Sequence, residues 1–476
     1  MANITTHRQP APHGSLAGDL DHPENEPAPA PGNRVSWKSH LARLGITILV
    51  ISAVSGVIAR VRADDAPSAT VAAIAPASSL AERVAALEAT TRTQPDNAAN
   101  WQELGQAYVQ RSIQTLDPSF YDLARRAFDR VDVLAPGDLA TVLGRAGLAA
   151  TQHRFVEALG LAEQVLVANP YSAGALAVRV DAEIELGRYD AAETHLDEFL
   201  ERKPGAAALA RVSYLRELTG DLPGALQAIK DAETAAGEAT SFERATLVFV
   251  RGDTLLAAGR FAEAGVAYQQ ALTLAPDLPG AVVGLARVAA AQGDRGAAIA
   301  LLKPLVDRLP LPGAAMLLAD LQADAGDTLG AKRSLDLVLA TAQLQSASGA
   351  DVELDLAIFR ADHDVVDADS VAKARATYAA RPSVYGADAL AWTLFRSGDI
   401  AGAAATLSDV SRLGTVDSQL LFHRAAILDA VGDHSGATSA LTAATRGDTF
   451  FSFARQSEIR TLAARLGVEW PTKADG

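Results

Sequence analysis

Apolar residues recur along most of this chain at the spacing of one helix face. In the stretch WQELGQAY, Trp101, Leu104, Gly105 and Tyr108 stand at positions i, i+3, i+4 and i+7, which predicts an amphipathic helix. A serine followed three residues later by a glutamate, in residues 79–82, predicts the capped start of an earlier helix. The same periodicity continues toward the C-terminus, so helices are expected throughout.

A second pattern has a much longer period. The stretch GRFAEAGVAYQQALTLAP contains a glycine, an aromatic residue, an alanine and a proline in fixed order, as Gly259, Phe261, Ala264 and Pro276. We call this alanine the marker alanine of a unit. Its counterparts recur every 33 to 39 residues, with one gap of 72 residues that fits a degraded unit ending at Pro382. The marker alanines are Ala124, Ala158, Ala192, Ala225, Ala264, Ala298, Ala331, Ala403 and Ala437.

This period and these residues resemble the tetratricopeptide repeat family. The resemblance covers roughly Asn100 to Thr445, and WQELGQAY is similar to the start of the family's first helix. It implies an all-α, right-handed solenoid of about ten helix-turn-helix units, whose stability comes from stacking because one helix pair cannot bury its own faces. An insertion of about seven residues near SIQTLDP separates the two helices of the first unit and departs from the family spacing.

The flanking segments divide the rest of the chain. Residues 1–40 are rich in proline and alanine and are expected to form a disordered cytoplasmic tail. Residues 41–62 are predicted as a transmembrane signal-anchor helix, 63–78 as a flexible linker, 79–445 as the repeat array and 446–476 as a capping helix and tail. The repeat array with this tail and single transmembrane helix is the fold that the sequence predicts.

The transmembrane assignment depends on residues 44–59, which carry no charge. Sixteen residues span roughly 24 Å, somewhat short of the usual 20 residues, although arginines at both ends can extend to the headgroups. A cleaved signal peptide remains open, because Val61 and Ala63 place small residues before a possible cut, and so does a buried soluble helix. Three basic residues before the segment against two after it favour a cytoplasmic N-terminus and an extracytoplasmic array, as a single-pass cell membrane protein.

Composition excludes several classes of function. The formal net charge of −15 and the lack of a basic cluster argue against nucleic acid as a partner. Cysteine is absent, which removes disulfides and thiolate chemistry. No common catalytic or phosphate-binding motif is found. We therefore expect no enzyme activity, no cofactor, no metal and no small-molecule substrate.

Two polar features could suggest chemistry, and neither does. His153 stands where other units have a glycine in the turn, which favours a role in the loop. The acidic stretch from Asp362 to Asp369 lacks the central glycine of a calcium loop, and Lys373 occupies the position of the final glutamate. A solvated acidic loop in the degraded unit is the better interpretation.

The family resemblance implies a concave groove lined by the first helix of each unit. Counting back from the marker alanines gives an apolar set with acidic points, which favours an apolar or basic peptide as the partner. The alternative is that these side chains only pack against neighbouring helices. The candidate groove residues are Tyr214, Glu217, Phe249, Asp253, Val283, Arg287, Met316, Asp320, Asp388, Trp392, Phe395, Phe422 and Asp429.

The sequence therefore predicts a non-catalytic, membrane-anchored scaffold for a peptide or protein partner, attached through residues 44–59 and similar to bacterial tetratricopeptide proteins of envelope or complex assembly. The main alternative is a cleaved, exported accessory subunit of a secretion, polysaccharide or cofactor-assembly machine. An enzyme with an unrecognised site is a third possibility, although the repeats leave it little room.

Overall fold

The computed structural model describes residues 79–415 and 417–474, which contain 22 helices and no strand. The predicted tail, transmembrane segment and linker, residues 1–78, lie outside the described residues. Within the described part of the chain, no helix combines the length and apolar character needed to cross a bilayer. The prediction of an all-α repeat solenoid is confirmed for this part.

The helices follow one another with short connections. Their bounds in chain order are α1 Leu80–Thr93, α2 Ala98–Thr115, α3 Ser119–Leu134, α4 Leu139–Thr151, α5 Phe155–Ala168, α6 Ala173–Glu185, α7 Tyr189–Arg202, α8 Ala206–Thr219, α9 Leu222–Ala235, α10 Ser241–Ala257, α11 Phe261–Leu274, α12 Pro279–Ala291, α13 Arg295–Arg308, α14 Pro312–Asp324, α15 Thr328–Ala347, α16 Glu353–Asp362, α17 Ala368–Ala380, α18 Val384–Arg396, α19 Ile400–Val410, α20 Ser418–Ala430, α21 His434–Ala444 and α22 Gln456–Leu466.

Ten helix pairs form the array, from α2 with α3 to α20 with α21, and we number them as units 1 to 10. Helix α1 precedes the first unit and α22 follows the last, within residues 446–476, for which a capping helix is predicted. The degraded unit is α16 with α17. All nine marker alanines are buried, because each sits where the two helices of a unit approach most closely and a larger side chain would separate them.

The turn within each unit, between its two helices, needs a left-handed residue. Gly187 and Gly259 supply it with φ angles of 67° and 69°, which glycine adopts without strain. His153 takes this position in unit 2 with a φ angle of 60°, as its place in the sequence pattern predicts. Its ring lies 3.2 Å from the carbonyl oxygen of Asp351, and burial lowers the pKa of His153 to about 4. The His153 ring is therefore neutral near pH 7 and has a structural role in this turn.

The insertion in the first unit is absorbed by helix α2. This helix has 18 residues, more than four turns, and is followed by Leu116 in a left-handed conformation with φ of 54°. The Leu116 side chain packs against an apolar cluster that includes residues of units 6 and 7, such as Ala290 and Leu318. The departure from the family spacing thus provides a contact between distant units.

Aromatic residues of the second helix of a unit fit between glycines of neighbouring first helices. Phe128 on α3 is fully buried, and its ring occupies the space that a β-carbon on Gly105 of α2 or on Gly144 of α4 would need. Such a β-carbon would lie 2.4 Å from the ring at Gly105 and 2.5 Å from it at Gly144. The absence of two side chains is therefore what allows the first two units to pack closely.

This packing gives a prediction with an internal control. Gly144→Ala is expected to lower the free energy of unfolding by about 1–3 kcal/mol, because the added methyl overpacks the Phe128 site. Gly147→Ala, three residues later in the same helix, meets nothing within 4 Å and is expected to raise stability by about 0.5–1 kcal/mol through helix propensity. Urea unfolding monitored by circular dichroism measures both. Equal effects of the two substitutions would contradict this packing.

The array folds back so that its second part rests on its first. We call units 1–6 the lower tier and units 7–10 the upper tier. The connections between units of the upper tier lie on the turns within units of the lower tier, as shown by hydrogen bonds from Asp351 N to Gln152 O (2.8 Å) and from Thr415 Oγ1 to Leu218 O (2.8 Å). The tail closes the stack, since Ala474 N donates to Ala291 O at 2.8 Å.

Candidate interaction surface

The predicted groove residues lie largely in the interior. Tyr214, Glu217, Phe249, Asp253, Asp388, Trp392 and Phe422 are buried, and Val283, Arg287, Met316, Asp320, Phe395 and Asp429 are half-buried. The first helices of the units are covered on nearly every side by neighbouring helices and by the other tier. The packing alternative thus describes the environment of these residues, and partner contact at them stays a prediction.

In the lower tier, the acidic members of this set have partners within the chain. Asp253 accepts a hydrogen bond from the Tyr268 hydroxyl at 2.7 Å, and burial raises the pKa of Asp253 to about 7. The Tyr214 hydroxyl donates to Glu185 at 3.2 Å. Burial raises the pKa of Glu217 well above its ordinary value, and Thr254 donates to that carboxyl group. The Asp253 contact joins the two helices of unit 5, whereas the other two contacts join unit 4 to its neighbours.

Trp392 is the centre of the corresponding region in the upper tier. Its side chain has no exposed surface, its indole nitrogen donates to Asp362 at 2.8 Å, and its ring stacks on His423 at 4.0 Å between centroids. Asp388 in turn contacts the His423 ring at 3.0 Å. Asp362 is therefore a buried acceptor, which corrects the prediction that the whole stretch from Asp362 to Asp369 is solvated.

The half-buried members connect the array to its C-terminal segment and to the next unit. Arg287 forms an ion pair with Asp448, in the segment that follows α21. Asp320 lies 3.5 Å from the ring of His363. Burial and the neighbouring carboxylate of Asp362 raise the pKa of Asp320 to about 7. Like the buried residues, these side chains are engaged within the chain.

The contact between the tiers covers the turns of the lower tier and the connections of the upper tier. Two other edges of the array remain outside this contact. The turn edge consists of the turns of units 7–10, on the side of the upper tier opposite to its contact with the lower tier. Within it, the turn of unit 8 contacts Arg455 of the C-terminal segment through Ala361 and Asp364. The connection edge consists of the connections between units 1 to 6 and the ends of the adjoining helices, which face away from the upper tier. Nine of the thirteen exposed large apolar side chains in the described residues lie on these two edges. They are Leu329, Val365, Ile400 and Val431 on the turn edge, and Val133, Leu139, Val167, Tyr171 and Leu274 on the connection edge.

Both edges carry charged side chains beside the apolar ones. Exposed carboxylates accompany the apolar residues of the turn edge, where Asp327, Asp399 and Asp433 cap the second helices of units 7, 9 and 10. The connection edge carries Arg202, whose guanidinium lies 5.6 Å from the Tyr171 ring centroid, and the exposed Lys203. It also carries the exposed carboxylates of Glu201, Glu238 and Asp277. An apolar surface of this kind on each edge, bordered by charge, is typical of protein contact.

Comparisons with known proteins identify the repeat. Two models of the tetratricopeptide repeat match the chain, at residues 178–240 and 255–321. These two segments of the chain are tetratricopeptide repeats. No curated protein matches the chain.

Solved structures of other proteins have similar folds at low identity. A tetratricopeptide repeat protein from Parabacteroides merdae is 18% identical, with a TM-score of 0.36, over 55% of this chain and 92% of that one. Yeast Tom70 is 13% identical, with a TM-score of 0.34, over 82% and 85% of the two chains. The Cut9 and Hcn1 complex of the APC/C gives 14% identity and a TM-score of 0.41, over 81% and 73%.

One signal within the tetratricopeptide repeats indicates the stacking of the tiers, although the period alone does not reveal it. Phe155, Tyr189 and Phe261 each stand three residues before a marker alanine, and each follows an arginine. All three contact the upper tier or the segment after it: Arg381 lies 4.8 Å from the Phe155 ring centroid, Arg412 lies 4.9 Å from that of Tyr189, and the Phe450 ring packs on its edge against Phe261.

The upper tier differs at the same repeat position. There the residues are Thr328, Ile400 and His434, each preceded by an aspartate and each exposed. An arginine and an aromatic residue therefore accompany the covered turns of units 2, 3 and 5. The covered turn of unit 4 is an exception, since Asp221 and Leu222 stand there. Sequence reasoning treated the aromatic residue as packing within its own unit and so missed the contact between tiers.

Proposed function

We propose that this tetratricopeptide repeat protein is a non-catalytic scaffold that binds a protein partner on its free turn edge. The observation that carries the proposal is the exposure of Leu329, Val365, Ile400 and Val431 beside exposed carboxylates. Four large apolar side chains along one edge favour a contact with another protein over hydration of each residue alone. The partner that suits this edge presents apolar and basic side chains.

The proposal includes attachment to a membrane through residues 44–59, with the array outside the cytoplasm. It rests on the sequence of that segment and on the small bias of basic residues toward its N-terminal side. In this arrangement the anchor holds the array near a membrane while the edges remain free for partners. A role in envelope or complex assembly fits this arrangement.

Capture of partners tests the scaffold. The full chain and the variant Val365→Lys/Ile400→Lys, each used as bait in detergent-solubilised membranes, are compared by mass spectrometry of the bound proteins. We expect the variant to lose at least one partner, because two cations replace the apolar centre of the edge. Val266→Lys is the matched control, since Val266 is 53% exposed but lies in the middle of α11, away from both edges. Identical partner sets for all three baits would contradict the proposal.

The anchor has its own test. N-terminal sequencing of the mature protein is expected to find the segment retained. A mature start near Asp64 would instead favour the exported accessory subunit. A reporter fused after the C-terminus is expected to be active only outside the cytoplasm.

A further inference from the structure

The contact between the tiers shows which repeat positions meet when one edge lies on the other. Arg412 stands nine residues after the marker alanine of unit 9, and it lies over Tyr189, which stands three residues before the marker alanine of unit 3. Arg412 also donates to the carbonyl oxygens of Pro382 and Gly187. A residue at position plus nine, in a connection between units, thus meets a residue at position minus three, in a turn within a unit.

The two free edges carry apolar residues at these same positions. Val133 and Val167 each stand nine residues after a marker alanine, and their exposed fractions are 71% and 87%. Ile400 stands three residues before a marker alanine and is 37% exposed. Arg412 is the counterpart of Val133 and Val167, and Tyr189 is the counterpart of Ile400. These two counterparts are in contact with each other within the chain.

We infer that the free turn edge of one copy binds the free connection edge of a second copy, so that copies associate head to tail. The inference rests on the proposed function, because it names the partner for the same surface. The contact continues the internal stacking of the tiers, with Val167 of one copy placed toward Ile400 of the other. It is heterologous, since two different edges meet, and each added copy leaves one edge of each kind free.

The internal contact also joins unlike parts of the repeat, since Arg412 at position plus nine meets Tyr189 at position minus three. A copy that repeats this contact presents its connection edge to the turn edge of the next copy. This favours the head-to-tail orientation over a symmetric dimer, in which like edges would meet.

Sedimentation velocity of the full chain in a nonionic detergent tests the inference. The weight-average sedimentation coefficient is expected to rise with protein concentration between about 1 and 100 µM, the range in which weak protein interfaces are populated. Two variants each block one edge: Val365→Lys/Ile400→Lys blocks the turn edge and Val133→Asp/Val167→Asp blocks the connection edge. Each variant alone is expected to weaken association at least about tenfold, since charges would lie in an apolar contact.

Mixing the two blocked variants gives the sharpest result. Each retains one intact edge, and the two intact edges are complementary, so the mixture is expected to form a one-to-one complex and to grow no further. Val266→Lys is expected to associate like the unmodified chain. Circular dichroism of each variant confirms that it is folded.

Three outcomes would overturn the inference: a sedimentation coefficient independent of concentration, association of either blocked variant as strong as that of the unmodified chain, or no complex in the mixture. If the chain stays monomeric while the turn-edge variant still loses a different captured protein, the inference fails and the proposed function stands. If the chain self-associates as expected but capture is unchanged by the variant, the head-to-tail contact stands and the proposed scaffold function fails.

Discussion

Replacing Trp392 with alanine is expected to lower the free energy of unfolding by about 3–5 kcal/mol, the usual cost of removing a large aromatic side chain from a core. The ring is fully buried against Phe422 and His423, and its indole nitrogen donates to Asp362. The substitution leaves a cavity and takes a donor from a buried carboxyl group. Urea unfolding monitored by circular dichroism measures the loss.

Two further variants separate the causes. Trp392→Phe retains most of the apolar volume but removes the N–H group, so it isolates the hydrogen bond to Asp362, worth about 1–3 kcal/mol for a charged acceptor. Trp101→Ala is the matched control, because Trp101 is only half-buried and donates to the carbonyl oxygen of Pro95. We expect a smaller loss there.

The result also decides between two interpretations of Trp392. If Trp392 is a groove residue, the Trp392→Ala variant loses partner capture while the array keeps its stability. If Trp392 is a core residue, the variant loses stability first. A Trp392→Ala variant with unchanged stability and reduced capture would restore the groove interpretation and contradict the packing described above.

The regular part of the fold could be predicted from the sequence because it depends on local contacts. Marker alanines such as Ala264 and turn glycines such as Gly259 satisfy requirements within one unit, so their spacing alone gives the helix pairs. Even the degraded unit could be placed, because Pro382 follows its second helix. Each of these predictions needs only the chain within about 34 residues of the marker.

The candidate surface could not be predicted in the same way. Whether Tyr189 faces solvent or the upper tier depends on residues such as Val384 and Arg412, about 200 positions away. The repeat period determines the helix faces but not how tightly the array curves. The groove prediction assumed an open concave side, whereas here the first helices are covered, so residues such as Trp392 and Phe249 lie in the core. The arginine and aromatic residue in the turns of units 2, 3 and 5 carry part of this information in the sequence, but the covered turn of unit 4, with Asp221, does not follow that pattern.

The contact between the tiers also places a charge in the core. Arg381, in the connection after α17, forms an ion pair with Glu185 at the end of α6, and both side chains are 3% exposed. The Arg381 guanidinium also lies over the Phe155 ring, while Tyr214 donates to the same glutamate. Burial raises the pKa of Glu185, although Arg381 acts in the opposite direction. The pair therefore joins units 2, 3 and 4 to unit 8.

Arg381→Met is expected to lower the free energy of unfolding by about 3–5 kcal/mol, because it leaves the Glu185 carboxylate buried with only a neutral partner. The double variant Arg381→Met/Glu185→Leu removes both charges and is expected to recover most of this loss, since apolar replacement of a buried pair is often close to neutral. Arg412→Met, at an exposed contact between the same tiers, is the matched control and is expected to cost far less.

Urea unfolding of the unmodified chain, the two single variants and the double variant forms a thermodynamic cycle for the pair. A large positive coupling energy means that each charge is needed mainly to compensate the other. The ion pair then contributes little net stability, and its effect is to select the register in which the tiers meet. In that case hydrogen exchange at the turn of unit 3 stays slow in the double variant. Arg381→Met could instead cost less than about 1 kcal/mol, the value for an exposed pair. In that case water hydrates the Glu185 carboxylate in place of the arginine, and the tiers separate readily in solution. The tiers would then part often enough for a partner to reach Tyr214 and the other groove residues, and the concave side would again be a candidate surface.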